Sequence, residues 1–192
     1  MLIAFNKPHG VICQFSPSGD KLTLKDFVDV PNVYAAGRLD TDSEGLLLLT
    51  DDGVLQARIA DPNRNMVKTY WVQVEGEPTD LELVPLRQGV DLGDFITRPA
   101  AARLIPPPPG LWLRDPPVRF RQNIPTGWLE IGIAEGKNRQ IRRMTAKIGY
   151  PTLRLVRIAI GSWVLTNIAP GKWREIEVPP NMMQRIKLPG NP

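Results

Sequence analysis

Gly37-Arg38-Leu39-Asp40-Thr41-Asp42-Ser43-Glu44-Gly45-Leu46-Leu47-Leu48-Leu49-Thr50-Asp51-Asp52-Gly53 is the stretch that sets the reading of this chain. It is a polar turn between two apolar runs, residues 33–36 and 46–49. Residues 46–49 are apolar without alternation, the pattern of a strand buried on both faces. Asp40 falls inside the turn, with glycines at 37 and 45 on either side. Strands would fix where such a carboxylate sits, and the turn would lift it clear of the sheet. On residue chemistry alone an acidic surface turn is the favoured reading.

Working outward, Asp51 or Asp52 is placed to cap a helix over 54–60 that Pro62 ends. Residues 2–5 and 11–15 read as strands around a turn at 8–10, and Thr23 as the cap of a short helix over 24–28. Residues 70–74 are rich in β-formers, and a helix over 79–87 starts at Thr79 and stops before Gly89. Strands follow at 97–105, 128–134, 153–160, 162–165 and 174–178. Strands interspersed with helices, several joined by short turns, predict an α+β fold with a mixed, largely antiparallel sheet and flanking helices.

Two segments carry the polar chemistry. Residues 106–126 hold a Pro106-Pro107-Pro108-Pro109-Gly110 run, then Pro116, Pro117 and Pro125, so they form a long surface loop. That loop carries Arg114, Arg119 and Arg121 with Trp112 and Phe120, which suits stacking on RNA bases or a rigid cover on the core equally well. Residues 138–149 have helical spacing, with Ile141, Met144 and Ile148 on one face and Arg139, Arg143 and Lys147 on the other. Arg142 flanks the apolar side and points inward, toward a partner.

Charge is unevenly placed. Of 24 Lys and Arg against 20 Asp and Glu, nine basic residues and no acidic ones lie in 136–174. The remaining residues hold 15 basic and 20 acidic side chains, a net of −5. One basic stretch on an otherwise mildly acidic chain points to a polyanionic partner and salt-sensitive binding. No apolar run approaches the roughly 20 residues that span a bilayer, and the first residues lack a signal-peptide pattern, so no membrane partner is expected. One cysteine, Cys13, and one histidine, His9, exclude an intrachain disulfide and a His/Cys zinc site, and agree with a cytoplasmic location.

Asn6-Lys7-Pro8-x-Gly10, the Gly37-to-Leu47 block and Thr50-x-Asp52-Gly53 together resemble the pseudouridine synthases of the RsuA family. Lys68-x-Tyr70 and Glu135-Gly136-Lys137-Asn138-Arg139-Gln140-Ile141-Arg142-Arg143-Met144 follow in the family's order. The Pro116-Pro117-x-Arg119 and Pro125-Thr126-x-Trp128-Leu129 segments are most similar to members that act on large-subunit RNA. The resemblance implies the pseudouridine synthase catalytic fold with a central active-site cleft, here one domain over 1–192, with two lobes. Many members carry an S4-type RNA-binding domain ahead of the Asn6-Lys7-Pro8 motif; it is expected to be absent here.

The activity implied is isomerisation of a single-stranded or loop uridine in 23S ribosomal RNA, with no cofactor and no metal, by a monomer. By resemblance Asp40 is the nucleophilic or charge-stabilising carboxylate, Tyr70 stacks on the uracil, and Arg142 pairs with Asp40. Arg38, Lys68, Arg119, Arg121, Lys137, Arg139, Arg143 and Lys147 are expected to meet RNA, and Leu155 or Leu153 to wall the flipped base. Arg38 alternatively pairs with Asp42 or Glu44, while Asp42, Glu44, Asp51 and Asp52 read as turn and cap residues. The same activity on tRNA, and a non-catalytic ribosome-assembly role, fit the same residues.

Overall fold

The computed structural model describes residues 1–118 and 124–183. Among them nine strands join one sheet, in the order β5-β6-β4-β7-β3-β1-β9, with β2 paired to β3 and β8 to β7. In sequence these are β1 (Leu2–Lys7), β2 (Tyr34–Ala35), β3 (Glu44–Thr50), β4 (Lys68–Glu75), β5 (Ala101–Ile105), β6 (Thr126–Ile133), β7 (Thr152–Ile160), β8 (Trp163–Val164) and β9 (Trp173–Glu175). Every pairing between these strands is antiparallel except β3 with β7. The α+β class and the mixed sheet follow the sequence reading.

All seven residues of β3 are buried, because the sheet carries a core on each face. Leu47 and Leu49 join Ile3, Phe5, Val72, Leu129 and Met144 on one side. Leu46 and Leu48 join Leu2, Ala4, Ile59 and Trp163 on the other. Helix α1 (Gly53–Ala60) starts where the Asp52 carboxylate accepts from the amides of Val54 at 2.8 Å and Leu55 at 3.1 Å. Helix α2 (Val84–Gln88) follows a 3₁₀ turn, Leu81–Leu83, so the continuous helix expected over 79–87 is split. Helix α3 (Gln140–Lys147) is shorter than 138–149 but buries Ile141 and Met144 as its spacing requires. A last short helix, α4, spans Pro180–Met183.

Residues 11–15 are not the expected strand. β1 already spends one edge on β3 and the other on β9, so that segment makes only an isolated bridge, Ile12 with Thr23. The helix at 24–28 is a 3₁₀ turn, Leu24–Asp26.

The seam between β3 and β7 positions the polar turn. One edge of β3 is shared: β2 pairs with Leu49 and Thr50, whereas β7 pairs only with Glu44 and Gly45. Between them the strands diverge and the 36–43 turn occupies the opening. The orphaned carbonyls there still find partners, Leu48 from the Ala36 amide at 2.8 Å and Leu46 from Arg157 Nε at 2.7 Å. Gly45 (φ 100°) packs against β7 so closely that a Cβ would overlap the Arg157 carbonyl oxygen and lie 2.9 Å from its amide nitrogen. One residue earlier, the buried Glu44 carboxylate takes Arg154 Nε and Nη2, both at 2.8 Å. Trp112 of the proline-rich loop caps this pair, its Nε1 donating to Glu44 at 2.8 Å.

Gly45→Ala is therefore expected to lose about 3 kcal/mol of unfolding free energy in urea, from backbone strain plus overlap. Gly110→Ala, also at positive φ but in open space, serves as the control and should lose about 1 kcal/mol. Equal losses for the two would show that the seam is not close-packed.

Candidate active site

Asp40 is held by its backbone. Five consecutive carbonyls of the turn each accept a hydrogen bond. Arg38 O accepts from Arg157 Nη1 at 3.2 Å and Leu39 O from Cys13 Sγ at 3.1 Å. Asp40 O accepts from the Ser43 amide at 3.0 Å, Thr41 O from the Gly10 amide at 2.7 Å, and Asp42 O from Arg142 Nη2 at 2.7 Å. A turn so satisfied presents its side chains in fixed directions, which an ordinary acidic surface loop does not.

Lys7 supports the turn from below. Its fully buried ammonium donates to Val11 O at 2.8 Å, Pro8 O at 2.9 Å and Thr41 O at 3.5 Å. Burial pushes its pKa down to about 8, against the opposing pull of Cys13 and Glu44.

The turn opens on a cleft of about 470 Å³, within the range for small-ligand sites. Its walls include Arg38, Asp40, Lys68, Tyr70, Lys137, Arg139, Leu155 and Arg157. Thus two of the three expected catalytic residues, Asp40 and Tyr70, line one cleft, with the expected base-facing Leu155. Tyr70 sits in the middle of β4, opposite Ile131 on one side and Arg157 on the other, and is 8% exposed. Lys68 starts the same strand, and burial lowers its pKa first, the Arg157 charge second.

Arg142 is where the structure corrects the expectation. It does not pair with Asp40. Its Nη2 donates to Asp42 O, its Nη1 lies 3.4 Å from Thr152 O, and its Nε faces the Asp42 carboxylate at 3.4 Å. The planar guanidinium is committed to two main-chain carbonyls, so only its Nε reaches a carboxylate, and the one it reaches is two residues beyond Asp40. Burial accordingly lowers the Arg142 pKa, with Asp42 and Asp40 opposing. The cation beside Asp40 is Arg139, whose Nη1 stands 3.7 Å from Asp40 Oδ2. Arg139 is itself gripped bidentately by Asp42, at 2.9 and 3.1 Å. Burial alone would raise the Asp42 carboxyl, but the Arg139 hydrogen bond and the Arg142 charge hold it below its ordinary value.

The other expected RNA-facing residues divide. Arg38 is exposed at the cleft wall, since its alternative partners are taken: Glu44 by Arg154, and Asp42 by Arg139 and Arg142. Lys137 sits 3.9 Å over the Phe95 ring. Arg143 does not face outward as expected; it bonds the Asp94 carboxylate and Leu92 O because the 91–96 turn packs beside α3. Lys147 is exposed at the helix end but does not line the cleft. Arg119 and Arg121 lie outside the described residues.

The sequence reading of Asp42 and Glu44 as turn and cap residues missed their ion pairs, and it did not single out Arg154 or Arg157. A signal was present: Arg154 and Arg157 stand inside an otherwise apolar strand, and a buried arginine demands a buried partner.

Residues 1–147 match the RNA pseudouridylate synthase family. The chain is 59% identical over 167 residues to the ribosomal large subunit pseudouridine synthase E of Xanthomonas axonopodis pv. citri (strain 306), covering 86% of this chain and 88% of that protein. It is 57% identical to the synthase of the same name from Vibrio vulnificus (strain CMCP6), over 85% of this chain and 70% of that one. A crystal structure of a pseudouridylate synthase superposes with a TM-score of 0.75 at 30% identity, over 92% of this chain and 70% of that chain.

Because Asp42 holds both Arg139 and Arg142, Asp42→Asn should lower kcat on RNA about 10- to 100-fold, the scale of a small misplacement of reacting groups. RNA affinity should change by less than about threefold, since only one charge at the rim is altered. A kcat unchanged in single-turnover kinetics would show that Asp42 is only a turn residue.

Proposed function

Since this chain belongs to the RNA pseudouridylate synthase family, we propose that it converts a uridine of large-subunit (23S) ribosomal RNA to pseudouridine, with Asp40 as the reacting carboxylate. The observation that carries this reading is the Asp40 turn itself: a carboxylate fixed by five bonded carbonyls at the wall of a cleft shared with Tyr70 and Leu155. The choice of 23S RNA is supported by relatives named for the large ribosomal subunit at 57% and 59% identity.

The reaction is an isomerisation. The N1–C1′ bond breaks, the uracil turns, C5 bonds to C1′, the C5 proton leaves and N1 gains one. Nothing is oxidised or added, so the balance calls for no cofactor. A carboxylate beside C1′ and C6 either forms a covalent intermediate or stabilises developing positive charge. Tyr70, which lines the same cleft, is the group to stack on the uracil and to receive the C5 proton. Arg139 stands 3.7 Å from the Asp40 carboxylate as its neighbouring cation, while Arg142 acts through Asp42 and the turn backbone.

A base inside a duplex cannot reach this cleft, so the uridine must leave its stack, most cheaply from a loop or bulge. Arg38, Lys68 and Lys137 stand on the cleft wall to receive the flanking phosphates. No helix among the described residues is long and apolar enough to cross a membrane, and a ribosomal RNA substrate supports the reading of a cytoplasmic activity.

Purified protein incubated separately with 23S RNA, 16S RNA and tRNA transcripts, followed by carbodiimide mapping, should yield pseudouridine at one 23S position. Modification of tRNA or 16S RNA alone would reassign the substrate. No pseudouridine in any of the three would remove the enzymatic reading.

A further inference from the structure

Leu113 is 97% exposed, the most exposed large apolar side chain among the described residues. Single exposed leucines are common and need no explanation. This one differs because both of its neighbours are anchored. Trp112 donates its Nε1 to Glu44 at 2.8 Å, and its carbonyl accepts from Arg154 Nη2 at 2.9 Å. Arg114 donates to Pro116 O at 2.7 Å, Pro117 O at 2.9 Å and Leu153 O at 3.4 Å. A loose loop could fold such a side chain back onto apolar surface; a loop pinned on both sides holds it in water.

The anchors also fix where Leu113 stands. Glu44 closes the Asp40 turn as the first residue of β3. Arg114 and Arg142 reach successive carbonyls at the start of β7, those of Leu153 and Thr152. Burial lowers the Arg114 pKa first, and the charges of Glu44 and Asp42 also bear on it. The loop therefore flanks the Asp42–Arg142 side of the site. Its charge selects a partner: residues 106–125, between β5 and β6, hold three arginines and one aspartate, which favours a polyanion over an apolar protein surface.

Accordingly we propose that Leu113 is an apolar wedge: it inserts beside the target uridine and fills the space that the base leaves when it enters the cleft. The proposal rests on the reading of the chain as an enzyme acting on an RNA uridine. Apolar side chains inserted between base steps unstack them, and the wedge then takes the place of the displaced base in the stack. Rigid anchoring suits that role, because a side chain ordered before binding loses little freedom on insertion. Leu113 touches no reacting atom; it is a positioning residue for the flipped state.

The test uses the full chain and two synthetic RNA hairpins around the mapped uridine, one with the uridine stacked in its native context and one with it opposite an abasic site. A 2-aminopurine placed 3′ to the uridine reports unstacking without turnover. Leu113→Ala should lower kcat/KM at least about tenfold on the stacked hairpin and less than about twofold on the abasic one, and should lose the fluorescence rise on binding. Leu113→Met should restore most of both. The melting temperature should not move, since the side chain is in water. Equal losses on the two hairpins, or an intact fluorescence rise in Leu113→Ala, would overturn the wedge. Normal behaviour on both hairpins with a defect only on an assembling ribosomal particle would overturn it in favour of a protein contact. Absence of pseudouridine with the wild-type chain would instead bring down the functional reading and the wedge with it.

Discussion

Gly45 lies against the Arg157 backbone with no room for a side chain, and this contact fastens one half of the sheet to the other. Everything at the site is arranged around it. The antiparallel group β5-β6-β4-β7 brings Tyr70, Lys68 and Leu155 to one side; β3 and β1 bring the Asp40 turn to the other. Only two residue pairs of parallel ladder join the halves, so side chains finish the join. Arg157 supplies the donors that the diverging strand withdraws, and the buried Glu44–Arg154 pair closes the end. Such a buried pair adds little net stability over an apolar packing, but it fixes register, and losing one partner would strand a charge.

The second consequence is that the carboxylate is aimed by main-chain hydrogen bonds instead of by a single counter-ion. With the carbonyls of 38–42 all bonded, the turn has little freedom to reorient, and Asp40 keeps its side chain 36% exposed at the cleft. Its neighbouring cation stands at 3.7 Å, so the carboxylate retains free lone pairs, while Asp42 absorbs the stronger contacts of Arg139 and Arg142. The division between two carboxylates two residues apart is physical: one is tied into an ion-pair network, the other left exposed at the cleft.

Much of this was legible in the sequence. The unbroken apolar run at 46–49 told that β3 is buried on both faces, Asp52 told where α1 starts, and Ile141 and Met144 told which face of α3 is inside. The motif resemblance brought Asp40, Tyr70 and Leu155 to one place. What sequence periodicity could not supply was non-local pairing. That residues 11–15 form no strand depends on β9, some 160 residues later, taking the free edge of β1. That Arg142 meets Asp42 and not Asp40, and Arg143 meets Asp94, depends on how α3 docks across β7 and the 91–96 turn. Helical spacing gives the direction of a side chain round its own axis, not the identity of the loop it meets.

In the proposed reaction Asp40 performs chemistry and does not merely decorate a turn. Asp40→Asn preserves the shape of the side chain and every backbone hydrogen bond of the turn while removing the charge. Measured on 23S RNA, by quantifying pseudouridine together with binding affinity, this variant should bind RNA within about threefold of wild type and form no pseudouridine. Conversion by Asp40→Asn at the wild-type rate would show that the carboxylate takes no part in the reaction.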